Sequence, residues 1–153
     1  MAFKIYVGIV LIIFIVVVSF IIIDDNEPGV DQTYLLPKGF EGCVVINYDV
    51  KGAEPLKVKN NEIVYKVPSD GIINTSSPME FGWVNKEESG SYQLKAYYVG
   101  KNGERLQELP SDKIRFGANG TVQEHGKPER DYYYQIFGSK KTEDKGCHHS
   151  GIL

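Results

Sequence analysis

Nineteen consecutive residues near the N-terminus, Ile5 to Ile23 (IYVGIVLIIFIVVVSFIII), carry no charge, and sixteen of them are Ile, Val, Leu or Phe. As a helix rising about 1.5 Å per residue the run reaches roughly 28 Å, against a bilayer hydrocarbon core of about 30 Å. A helix lying in water needs a polar face, and this one has none. At roughly −0.3 to −0.6 kcal/mol per residue, insertion gains on the order of −5 to −10 kcal/mol. Thirteen of the residues are β-branched and poor helix formers in water, but in lipid a lone span can satisfy its backbone in no other way. The run predicts a transmembrane helix over 5–23, with the lipid bilayer as its partner.

A cleavable signal peptide has an apolar core of about 7 to 15 residues and a small-x-small exit. Here the run is longer, Phe20 to Ile23 precede Asp24, and no Leu-x-x-Cys lipoprotein signal occurs. The helix therefore reads as an uncleaved anchor. Lys4 lies on its short side, while Asp24, Asp25 and Glu27 follow it. Cationic flanks stay inside, which predicts a single-pass protein of the plasma membrane with residues 1–4 cytoplasmic and the bulk outside.

All acidic residues and every basic residue but Lys4 follow the span, so this part carries a net charge of −4. A duplex binder needs a cationic stripe, and pairs such as Lys57 with Lys59, or Lys140 with Lys141, are sparse; nucleic acid is excluded as a partner. The length after the anchor suits one domain with a core of its own.

Along the chain, residues 24–33 read as an acidic spacer, 34–138 as the folded domain and 139–153 as a loose polar tail. Cys43 to Val50 alternates Val44, Ile46, Tyr48 and Val50 on one face, as a half-buried strand does. Asn60-Asn61 predicts a hairpin turn between Leu56–Lys59 and Glu62–Val67. Asn102-Gly103 predicts a type I′ turn between Tyr92–Val99 and Glu104–Leu109. Gly117 to Gly120 reads as a turn between two short strands, and Tyr132 to Phe137 as the last strand. No helical period follows Ile23. The pattern predicts an all-β, antiparallel β-sandwich, prealbumin-like or immunoglobulin-like, after one N-terminal transmembrane helix.

Chemical signals are sparse. No serine sits in a Gly-x-Ser-x-Gly elbow, and the carboxylates Glu41, Asp49, Asp70 and Glu80 are scattered in sequence. They leave a small carboxylate-based hydrolase only as an alternative, and the chain reads as a non-enzyme without a cofactor. Cys147, His148 and His149 supply soft ligands for zinc or copper, but a structural zinc site takes four, and these three are adjacent. They define the second alternative, a metal-handling domain. Outside the cytosol a disulfide between Cys43 and Cys147 is chemically allowed. Cys43 reads equally well as a small core residue and Cys147 as part of a polar tail, so free thiols that label without reductant are expected. Trp83, Tyr97, Tyr98 and Tyr133 are candidates for a ligand platform, since Trp and Tyr combine an apolar face with a polar handle. Alternation sends Tyr132 and Tyr134 to one sheet face and Tyr133 to the other, so some of these aromatics must fill the core.

Tyr34-Leu35-Leu36-Pro37 with Gly39-Phe40-Glu41-Gly42, followed by Tyr65 to Asp70-Gly71 with Thr75-Ser76 and Pro78, resembles a family of small exported domains from bacillus-group bacteria. The resemblance covers Tyr34 to Tyr98. It implies a domain carried on an N-terminal membrane segment or a lipoprotein signal, with no assigned activity, no catalytic residues to transfer and no pairing of Cys43 with Cys147. The expected role is a non-catalytic binding or structural module at the cell surface, facing a cell-wall or membrane-protein partner.

Overall fold

The computed structural model describes residues 27–123, 126 and 128–147. The predicted anchor over 5–23 lies outside the described residues, and no helix among the described residues is long and apolar enough to cross a membrane. What is described is mostly β: β1 (Asp31–Pro37), β2 (Gly42–Asn47), β3 (Val58–Lys59), β4 (Glu62–Lys66), β5 (Ile72–Asn74), β6 (Leu94–Val99), β7 (Arg105–Glu108), β8 (Ile114–Val122) and β9 (Arg130–Phe137), then a short helix α1 (Lys140–Lys145). They form two sheets, β3-β4-β1-β6-β7 and β5-β2-β9-β8.

Alternation places Tyr34 and Leu36 of β1, Val44 and Ile46 of β2, Ile63 and Tyr65 of β4, Ala96 of β6 and Phe137 of β9 in one core between the sheets. Tyr34 is its centre, stacked on Tyr65 at 4.8 Å between ring centroids and tilted against Phe137 at 5.0 Å. Full burial of such side chains contributes about 1.5–3 kcal/mol each. The arrangement is sandwich-like.

The pairing corrects the antiparallel expectation. β1 runs parallel to both β4 and β6, and β2 runs parallel to β5. Parallel neighbours require long crossovers, and here consecutive strands repeatedly change sheet instead of folding back as hairpins. β1 begins at Asp31, inside the stretch read as a spacer, and is the middle strand of its sheet. The hairpin at Asn60-Asn61 forms as expected, both asparagines having positive φ (53° and 58°). At the second hairpin only Gly103 is left-handed (φ 80°), and its N–H bonds to the Gly100 carbonyl at 3.0 Å, so the turn is a longer loop and not type I′. Residues 117–120 are no turn at all but the interior of β8.

Two further corrections concern the C-terminus. Cys43 and Cys147 are joined in a disulfide, and within the tail expected to be loose Lys140–Lys145 form α1. Six residues are too few for a helix to stand alone in water. Ser139 caps its start by accepting from the Thr142 N–H at 3.3 Å, and the disulfide ties its far end to β2. Between these, Glu143 pairs with Arg115 of β8 at 2.8 Å and with Lys140 at 2.9 Å, and accepts from the Phe116 N–H at 3.3 Å.

Lys140 and Arg115 hold the Glu143 carboxyl down to about 2 from its usual 4.5. A depressed acid supports the fold fully above its unfolded value and loses that support as pH falls through the folded one. The α1 clamp is thus complete at neutral pH and released between pH 4.5 and about 2. The amide resonance of Phe116, followed by NMR, is expected to titrate near pH 2; a midpoint near 4.5 would contradict the clamp.

Candidate functional site

Where β1 begins and β2 ends, the sandwich opens into a cleft of about 320 Å³. Its lining comes from five places in the chain: Gln32 of β1, Tyr48 just after β2, Met79, Trp83, Ser89 and Tyr92 of the long connection to β6, Gly117, Ala118 and Asn119 of β8, and Tyr133 of β9. The connection that carries Trp83 is built from successive turns. The Phe81 N–H donates to the Pro78 carbonyl at 3.1 Å and the Trp83 N–H to Glu80 at 3.0 Å, and the Asn85 side chain accepts from the N–H groups of Glu87 and Glu88. Gly82 gives the chain its direction into Trp83: its φ is +83°, and a Cβ there would meet Ile63 Cδ1 at 2.9 Å. The far end is pinned to the N-terminal segment, with the Gly29 N–H donating to the Ser91 carbonyl at 2.8 Å and the Gln93 N–H to Asp31 Oδ1 at 2.8 Å.

Tyr133 faces inward on β9. Its hydroxyl donates to Gln135 Oε1 at 2.7 Å, and Gln135 Nε2 donates to the Arg115 carbonyl at 2.6 Å, so the ring is locked across β8. This explains the glycine opposite it: a Cβ on Gly117 would collide with the Tyr133 hydroxyl, Gln135 Oε1 and the Tyr134 carbonyl. A glycine read as a turn former is thus a close-approach residue inside a strand. Gly117→Ala is expected to displace Tyr133 and cost about 1–3 kcal/mol, measured by urea denaturation; an unchanged midpoint would show that Tyr133 is not held this way.

Two phenols of the site, Tyr48 and Tyr133, are held protonated at neutral pH. Burial, together with the neighbouring Tyr92 and Tyr134, pushes Tyr133 up to about 12. Burial also raises Tyr48, reinforced by Tyr65 and Tyr133. No lining residue carries a carboxylate, an amine or an imidazole. The cleft therefore offers aromatic faces, a thioether, two amides and hydroxyls, a set that can stack and hydrogen-bond.

Of the four aromatics singled out from the sequence, Trp83 and Tyr133 meet in the cleft, and Tyr97 and Tyr98 do not line it. Tyr97 lies under the Arg105 guanidinium at 4.5 Å. Tyr98, the next residue on β6, turns to the core side, and its hydroxyl donates to the Phe40 carbonyl at 3.2 Å. The lining partners Tyr48, Tyr92, Gln32 and Asn119 were not singled out. Tyr48 carried a signal, since it continues the inward alternation of β2.

The other candidates are dispersed. Cys147 is bonded to Cys43 and so presents no thiolate to a metal, which corrects its reading as a ligand; His148 and His149 lie outside the described residues. Among the described residues no group of three or more metal-ligating side chains occurs. Glu41 accepts from the Thr142 hydroxyl at 3.2 Å, and Asp70 caps a turn by accepting from the Ile72 N–H at 3.0 Å. Neither they nor Asp49 and Glu80 line the cleft. A larger groove of about 650 Å³ runs beside β4 and β5, where Lys57, Lys59, Lys66, Glu54 and Glu62 stand among apolar residues such as Leu56 and Ile73, and Glu62 accepts from the Thr33 hydroxyl.

The fold is shared with a crystal structure of a predicted lipoprotein from Bacillus anthracis, with a TM-score of 0.60, 24% sequence identity and coverage of 83% of this chain and 82% of that one. No curated protein matches the chain. Residues 29–149 match a family of unknown function, DUF6843, and the chain belongs to that family.

Proposed function

We propose that this protein is a non-catalytic binding module held on the outer face of a bacterial plasma membrane, with the Trp83–Tyr133 cleft as its ligand seat. The observation that carries the reading is the composition of that cleft: four aromatic side chains, two amides and a serine converge from separate elements, and none of the lining groups is a carboxylate, an amine or an imidazole. Binding sites are concave, largely apolar and equipped with a few placed polar groups, and a volume of about 300 Å³ is the lower end of their range.

Placement outside the membrane has three supports. The run Ile5–Ile23 is long enough to span, and its flanking charges direct the domain outward. The Cys43–Cys147 disulfide belongs to an oxidising compartment. The Bacillus anthracis protein that shares the fold is itself described as a predicted lipoprotein.

The test is retention of the full chain, in nanodiscs, by purified bacterial cell walls. Wild-type protein should be retained, and Trp83→Ala should lose at least about tenfold in affinity, as expected for a central aromatic anchor. Equal retention of the two at equal melting temperature would refute the cleft as the seat.

A further inference from the structure

Resting on that proposed function, we infer that the ligand of the Trp83 cleft is an uncharged saccharide chain. Three features of the lining select this class. The first is the aromatic arrangement: Trp83 and Tyr133 are half-buried and Tyr92 stands exposed at 37%. Rings so placed offer flat apolar faces to a ligand that enters from solvent, and the CH face of a pyranose is a flat apolar surface of matching kind.

The second is the polar complement. Asn119 and Gln32 each carry an acceptor and a two-proton donor a short distance apart, which suits the vicinal hydroxyls of a sugar, each a donor and an acceptor at once. Asn119 is exposed, and its amide nitrogen has only a 3.9 Å contact to the Met79 sulfur, so the amide is open to a ligand. The Tyr133 hydroxyl, by contrast, is spent on Gln135 at 2.7 Å, which leaves its ring as the part that the ligand meets.

The third is charge. The lining contains no Asp, Glu, Lys, Arg or His, and the chain as a whole is acidic, with a formal net charge of −3. A polyphosphate such as a teichoic acid would meet repulsion and no cation. A peptide with ionised side chains would leave them unpaired against aromatic walls, a cost that a neutral sugar does not incur. Binding of a neutral chain is also insensitive to ionic strength, because no charge pair is screened.

The chain has a single tryptophan, so its emission reports the cleft directly. The full chain in detergent micelles is titrated with three probes: cellotetraose and chitotetraose as neutral saccharides, poly(glycerol phosphate) as an anionic wall polymer, and a muropeptide stem pentapeptide. At least one neutral saccharide is expected to change Trp83 emission saturably with a midpoint below about 1 mM. The midpoint should not move between low salt and about 0.5 M. Asn119→Ala, at an exposed position, should weaken the saccharide about tenfold with the melting temperature unchanged.

A response to the pentapeptide or to poly(glycerol phosphate) with none to either saccharide would overturn the saccharide assignment while leaving a binding module in place. Silence from all three probes, with wall retention still dependent on Trp83, would overturn it as well. A saccharide midpoint unaffected by Asn119→Ala would equally do so. Loss of Trp83-dependent wall retention would instead remove the proposed function on which the assignment rests.

Discussion

Replacing Cys43 and Cys147 by alanine, or reducing the native protein, is expected to lower its stability by about 4 kcal/mol. The bond links residues 104 apart in sequence, and in the chain-entropy account a loop of that size removes about 4.7 kcal/mol of freedom from the unfolded chain. A domain of this size has only about 5–15 kcal/mol in total. The loss should lower the melting temperature by roughly 15 °C. It should also free α1, which lacks the length to persist without its tether. Guanidinium melts with and without reductant measure the first effect, and protease cleavage after Lys145 in the reduced protein the second. Thiol reagent should label denatured, unreduced protein at neither cysteine. Coincident melts, or labelling without reductant, would contradict the bond.

Phe137→Ala is expected to cost about 3–5 kcal/mol, because the ring is fully buried and the residue cannot be replaced by rearranging a packed core. Phe137 ends β9, tilts against Tyr34 and pairs with both Gly42 and Ile114, so the vacated space lies at the junction of three strands and directly before the clamp of α1. Phe116→Ala is the control. That ring belongs to the same sheet and touches Tyr134 at 6.1 Å between centroids, but it is 57% exposed. Its removal should stay within about 0.5 kcal/mol. Urea midpoints of the two variants separate burial from mere aromatic contact; equal shifts would mean that the core is not where Tyr34 and Phe137 place it.

How far the chain could be understood without its fold depends on whether a feature is local. The Asn60-Asn61 hairpin was legible because left-handed asparagines fix a turn by themselves. The inward face of β2 was legible because Val44 and Ile46 alternate with the residues between them, whereas β1 was not: Asp31-Gln32-Thr33 looks like spacer, and only pairing with β4 and β6 makes it the middle strand. Gly117 and Gly120 misled for a related reason. A glycine that makes room for a tyrosine on the next strand has the same letter as one that makes a turn, and the difference lies in Tyr133 and Tyr132, which fill the space above them.

The disulfide was allowed by the sequence but left open on the same ground, since two cysteines far apart in sequence say nothing about the distance between them in space. The site was half legible. Trp83 and Tyr133 stood out by residue type, but Tyr97 and Tyr98 stood out equally, and only Arg105 over one and the Phe40 carbonyl at the other show how they are occupied.

The central claim is that the ligand enters at Trp83 and not at the Tyr97–Tyr98 strand. Photocrosslinking on living cells tests it most directly, with benzoylphenylalanine installed in place of Tyr92 at the cleft rim or in place of Tyr97 as the control. Illumination is expected to give a high-mass adduct from position 92, collapsed by a muramidase, and none from position 97. An adduct from position 97 with none from position 92 would contradict the account.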